Sequence, residues 1–210
     1  PGQKVSFFGR IWSQSKNGHP VYHYSLNATL TSQPQRSPIH SLPIRLFADP
    51  ARIILGKNLY QDGTLFHGPS FQGVKRVLSM DDQQVVMECM LPAIDASQQG
   101  QFPLQTSNPF IYDAIVQSLL IWTQYNDHAP CLPSHLDRLE HYRPIPFDET
   151  CLVDMHIVSH SQTAVVADIW VTDNAGEVYA KFIGLQGTIS PALKRLISVG
   201  AAEQTTGIES

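Results

Sequence analysis

The sequence predicts an α+β domain in which an antiparallel sheet wraps one long central helix. Three observations predict it. A stretch from Asn108 to about Tyr125 reads as a long helix that is apolar around most of its circumference. Several segments carry the alternation and β-branched content of strands, and the connections between neighbouring ones are short turn signals. The chain has 210 residues, 42% hydrophobic and 15% charged, enough to bury a sizeable core in one domain or in two small ones sharing it.

The elements follow in order. Phe7 to Ser13 is β-prone, Lys16-Asn17-Gly18 is a turn, and Val21 to Thr31 alternates, so the first stretch reads as a hairpin. Ser32 to Pro50 holds Pro34, Pro38, Pro43 and Pro50, a density that suits an extended linker and not a ladder. From about Leu55 the pattern is a compact α+β unit. The loop Phe66-His67-Gly68-Pro69-Ser70-Phe71 precedes strands at Val74 to Leu78 and Val85 to Met90. Asn108 suits the N-cap of the long helix and Pro109 its first position. A Pro-rich loop follows, then strands near Cys151 to Ser159, Ala164 to Thr172 and Glu177 to Ile189, the last two joined by Asp173-Asn174-Ala175-Gly176. The expected organisation is residues 1–50 as hairpin and linker, 51–198 as the sheet-and-helix domain, and 199–210 as a frayed tail.

Composition narrows the function classes. A net charge of -4 and a pI near 6.1 give no electrostatic reason to expect nucleic acid. Three cysteines, Cys89, Cys131 and Cys151, show no paired spacing, so neither a disulfide framework nor a zinc site is expected, and a reducing cytoplasm suits them. No apolar run is long enough to cross a bilayer. A chain that starts Pro1-Gly2-Gln3-Lys4 reads as a segment of something longer.

Two polar residues stand out on the long helix. Asp113 and Gln117 lie four apart and so share a face amid Ile111, Ala114, Ile115, Leu119 and Trp122. A carboxylate buried there needs hydrogen bonds or a raised pKa, and a raised pKa is what a general acid needs. Its place in the second turn also allows a plainer role, a negative charge favouring the helix N-terminus. The Phe66–Phe71 loop carries His67 on a turn forced by Gly68-Pro69, with Phe66 and Phe71 expected to anchor it in the core; His67 faces either a cleft or solvent. His19 with His23, and His156 with His160, are spaced to share strand faces, but neither pair has an identifiable third ligand, so no metal is expected. Trp12, Trp122 and Trp170 read as core.

These residues resemble a known family. The run from Leu59 through Tyr60 and Phe66-His67-Gly68-Pro69-Ser70-Phe71-Gln72-Gly73 resembles the second-half motif Tyr-Gly-Pro-x-Phe-Gln-Gly of polyketide-synthase-type dehydratase domains. Tyr112-Asp113-Ala114-Ile115-Val116-Gln117 looks like the same family's Asp-x-x-x-Gln helix motif. Cys131-Leu132-Pro133-Ser134-His135 stands where its Leu-Pro loop stands. The wording around His67 is similar to dehydratase-like regions of bacterial polyunsaturated fatty acid synthases.

The resemblance implies a hotdog fold, doubled in the family into two sheets that each wrap a helix, with the N-terminal hairpin as the remnant of a first hotdog. It implies β-hydroxyacyl thioesters as substrates, carried on the phosphopantetheine of acyl carrier protein, and no bound cofactor. A His of the first hotdog takes the α-proton, and the Asp of the second protonates the departing hydroxyl. Asp113 maps onto that acid and Gln117 onto its helper; His67 takes a position usually held by Tyr. Substrate is expected between the central helix and the loop, against His67, Gly68, Pro69, Phe71 and Pro133. Neighbouring synthase domains and a second copy of the chain are the expected partners, since a lone hotdog leaves a sheet edge to cover.

The first-half motif His-x-x-x-Gly-x-x-x-x-Pro is missing: none of the nine histidines has Gly four residues on. Two alternatives therefore stand beside the dehydratase. One is a hotdog thioesterase in which Asp113 activates water; the other is a non-catalytic pseudo-dehydratase scaffold.

Overall fold

Alternation on either side of Lys16-Asn17-Gly18 produces the expected hairpin. Strand β1 (Lys4–Gln14) pairs antiparallel with β2 (Pro20–Thr31), with Gly18 at φ +79° in the turn. The computed structural model describes residues 3–33, 35–41, 53–95 and 108–193, so the tail expected at 199–210 and most of the linker lie outside the described residues. The hairpin belongs to one compact unit, Pro1–Arg36; Ser37–Ser210 form the other. A two-stranded sheet has no interior of its own. Phe7, Phe8, Trp12, Tyr22 and Tyr24 accordingly stay exposed, which corrects the core role expected of Trp12. Only His23 of the His19/His23 pair lies in a strand, bonded to Ser13 Oγ at 2.8 Å.

The described residues of the second unit form one antiparallel sheet around one long helix. Its elements are β3 (Ile54–Leu55), α1 (Gly56–Gln61), β4 (Val74–Met80), β5 (Gln84–Cys89), α2 (Pro109–Asn126), β6 (Cys131–His141), β7 (Cys151–His160), β8 (Ala164–Thr172) and β9 (Val178–Ile189). The strand order is β3-β4-β5-β7-β8-β9-β6. Helix α2 starts where the sequence predicts: Asn108 Oδ1 accepts from the N–H of Phe110 (3.1 Å) and of Ile111 (3.3 Å), and Pro109 opens the helix. Its Ile111, Ala114, Ile115, Leu119, Leu120, Ile121 and Trp122 join Val77, Val85, Met87, Met155, Ile169 and Phe182 in one core. Hydrophobic burial along this helix holds the sheet on it; Leu119, fully buried, would cost about 2–5 kcal/mol as Ala.

Three details correct the sequence reading. Cys131-Leu132-Pro133 opens β6, a sheet-edge strand, and is not a loop; Pro133 pairs with Gly187 and a bulge follows before His135. An edge strand tolerates the missing N–H of proline, which is why the local turn signal misled. In β7 a register shift between Ile157 and Ser159 breaks the alternation. His156 therefore meets Asp154 and Gln84, whereas His160 meets Asp127 and Trp122, so the two share no face. Residues 38–40 of the expected linker make one isolated bridge to β9's approach, with His40 N–H donating to Gly176 O at 2.8 Å.

Candidate active site

The loop between α1 and β4 lies against the first turns of α2. Gly68 leads into a single 3-10 turn, Pro69–Phe71, whose Phe71 N–H donates to Gly68 O at 2.9 Å. The Phe66 ring packs on the core and stacks on His67, centroids 4.4 Å apart. Phe71 is not in the core as expected; it is 38% exposed and its ring lies 5.0 Å from Phe110 at the start of α2. Gly73 permits the approach, because a Cβ there would stand 2.6 Å from Ala114 Cβ. Gln72 Nε2 donates to His67 O at 3.0 Å and fixes the loop from behind.

Gln117 is the keystone of the polar cluster and is 3% exposed. Its Nε2 donates to Asp113 Oδ2 and to Phe71 O, each at 2.9 Å. Its Oε1 accepts from the Tyr60 hydroxyl at 2.8 Å, and that hydroxyl accepts from Val74 N–H at 3.1 Å. Turning the amide over would set oxygen against two acceptors and nitrogen against a donor, so the network allows one orientation. Asp113 is held by Gln117 yet is 39% exposed at its side chain. That corrects the expected full burial: helical spacing puts 113 and 117 on one face, but Asp113 sits toward its open end.

His67 completes the cluster. Its Nε2 stands 3.7 Å from Asp113 Oδ2, its side chain is 16% exposed, and its Nδ1 is buried without a hydrogen-bond partner among the described residues. Burial holds its pKa below the ordinary value, with the Asp113 carboxylate partly opposing. Tyr60, partly buried, is held by desolvation well above the usual tyrosine range. Asp113, Gln117, His67, Gly68, Pro69 and Phe71 thus come together, whereas Pro133 is exposed in β6 with no hydrogen bond or ring contact to them. Tyr60 is the residue that sequence reasoning passed over; it lies inside the recognised run, on a six-residue helix too short to show a period. A groove lined by Trp122, Asp127 and His160 lies toward the other end of α2, nine residues and about 14 Å along the helix from Asp113.

Comparison with known proteins gives the family and the fold. The family model described as polyketide synthase dehydratase N-terminal domain matches residues 48–196, which contain the whole cluster. The chain belongs to the polyketide synthase dehydratase family. It is 36% identical over 110 residues to one of the polyunsaturated fatty acid synthase polypeptides of a Thraustochytrium species, covering 51% of this chain and 4% of that relative. Among solved structures, a trans-AT polyketide synthase dehydratase domain from Brevibacillus brevis superposes with TM-score 0.68 at 19% identity, over 89% of this chain and 65% of that one. The dehydratase domain of RzxB from Pseudomonas fluorescens gives 0.65 at 16%, over 87% and 63%. The fold is the dehydratase hotdog, and the chain spans less than two thirds of these dehydratase structures. Among the described residues, no helix is long and apolar enough to cross a membrane.

Proposed function

We propose that the chain is the acid-bearing half of a dehydratase acting on β-hydroxyacyl thioesters, with Asp113 as the general acid and Gln117 as its orienting partner. The observation that carries this is the single-orientation amide of Gln117, which aims its N–H at a half-exposed carboxyl. The 3.7 Å separation from His67 Nε2 is longer than a hydrogen bond, so a substrate oxygen seated beside the pair could bond to both groups at once. The Asp113 proton passes to the β-hydroxyl as the Cβ–O bond breaks, releasing water and leaving the enoyl thioester. The α-proton goes to a base; no His of this chain has the family's His-x-x-x-Gly spacing, so that base comes from a first hotdog.

In this reading the acyl chain lies along the loop at His67, Gly68, Pro69 and Phe71. The thioester arrives on the phosphopantetheine of an acyl carrier protein, other synthase domains adjoin, and a second copy covers the free sheet edge. The setting is cytoplasmic. Product analysis tests the reaction class: with a first hotdog joined to the chain, crotonyl and 3-hydroxybutyryl thioesters should interconvert with the thioester intact. Release of free thiol that depends on Asp113 would instead establish a thioesterase.

A further inference from the structure

The face of the sheet turned away from α2 carries a second polar cluster. Alternation along β7 sends Val153 and Met155 into the helix-side core and puts Leu152, Asp154 and His156 on the other face. Asp154 is 1% exposed. Its Oδ2 lies 2.7 Å from His40 Nε2 and 3.0 Å from His156 Nε2, and its Oδ1 accepts from Gln84 Nε2 at 2.6 Å. The His40 ring is set by stacking on Trp170, 4.7 Å between centroids and 5° between planes, and its backbone by the bond to Gly176.

We propose that His40, Asp154 and His156 form a binding site for a divalent transition metal, Zn²⁺ foremost, which clamps the segment around His40 to β7. Two imidazole nitrogens and one carboxylate oxygen converge within 4.8 Å of one another. Two imidazoles and a carboxylate make a three-ligand zinc set with a fourth position for water. Metal bonds of about 2.0–2.1 Å at a tetrahedral angle separate ligand atoms by about 3.4 Å, so the contacts of Asp154 Oδ2 with His40 and His156 would open by about 0.7 Å and about 0.4 Å. Gln84 supplies the outer hydrogen bond that orients the ligating carboxylate. The buried Asp154 carboxylate has the two histidines as its only ion-pair partners among the described residues, and a buried charge needs a cation. His156, 45% exposed at its side chain, leaves the fourth position open to water. The sequence shows no such set, because His40 stands 114 residues from Asp154.

The test is calorimetric titration of the chelator-treated chain with Zn²⁺, repeated with Co²⁺ for its visible absorption. The expected result is one equivalent per chain, weakened about tenfold or more in His40→Ala, His156→Ala and Gln84→Leu. His135→Ala, at the exposed His135–Asp137 pair, should bind as the parent does. Thermal melts of each variant without metal show that it is folded, and Zn²⁺ should raise the melting temperature of the parent and of His135→Ala by more than that of the other three variants. No saturable uptake, or uptake unchanged in both His40→Ala and His156→Ala, would overturn the proposal.

Discussion

Removing one oxygen atom from Tyr60 tests the hydrogen-bond network more sharply than removing any charged group. In Tyr60→Phe the ring keeps its volume, so no cavity forms. Two partners lose their bond: Gln117 Oε1, at 2.8 Å, and Val74 N–H, at 3.1 Å. Each buried group left unpaired costs about 1–3 kcal/mol, and the two compete with whatever residual access to solvent the site retains. We expect a loss of about 2–3 kcal/mol, which for a chain of this size lowers the melting temperature by about 4–12 °C. Tyr112→Phe is the matched control. That hydroxyl is buried with no partner among the described residues, and burial pushes its pKa up to about 12, so deleting it should leave stability unchanged or raise it. Scanning calorimetry of both variants decides the matter. Equal melting temperatures for the two would show that the Tyr60 hydroxyl holds nothing in place.

Three further outcomes are expected. Gly73→Ala sets a methyl 2.6 Å from Ala114 Cβ and should cost about 1–3 kcal/mol in a urea melt while pushing the His67 loop off α2. Asn108→Ala removes the acceptor for two N–H groups and should cost about 0.5–2 kcal/mol by the same assay. His67 and His141 both sit below their ordinary 6.5 because burial disfavours the charged ring. The unfolded chain therefore takes up protons first, so stability is full above about pH 6.5 and falls as pH drops through the folded values. His67→Gln should flatten part of that fall in melts between pH 5 and 8, leaving the His141 share.

How legible the fold was depended on whether its cause was local. Asn108-Pro109 at the head of an apolar run is a local signal, and α2 starts at that signal. The Asp173-Asn174-Ala175-Gly176 turn is likewise local: Asp173 Oδ1 caps the N–H groups of Ala175 and Glu177. Pro133 reads as a loop residue in sequence because its tolerance comes from an edge position that only the assembled sheet defines. Helical spacing placed Asp113 beside Gln117 but could not give depth, and one is half-exposed where the other is buried. Tyr60 and His40 reach their partners across 57 and 114 residues, distances at which no sequence period speaks.

Everything proposed for the reaction turns on Asp113 as the proton donor. The decisive measurement is the hydration and dehydration rate on crotonyl and 3-hydroxybutyryl thioesters. It is made on the chain joined to a first hotdog and on the same protein carrying Asp113→Asn, both shown folded by calorimetry. Turnover should fall by about 100-fold or more in the variant. Equal turnover in the two, or none in either, would contradict the assignment.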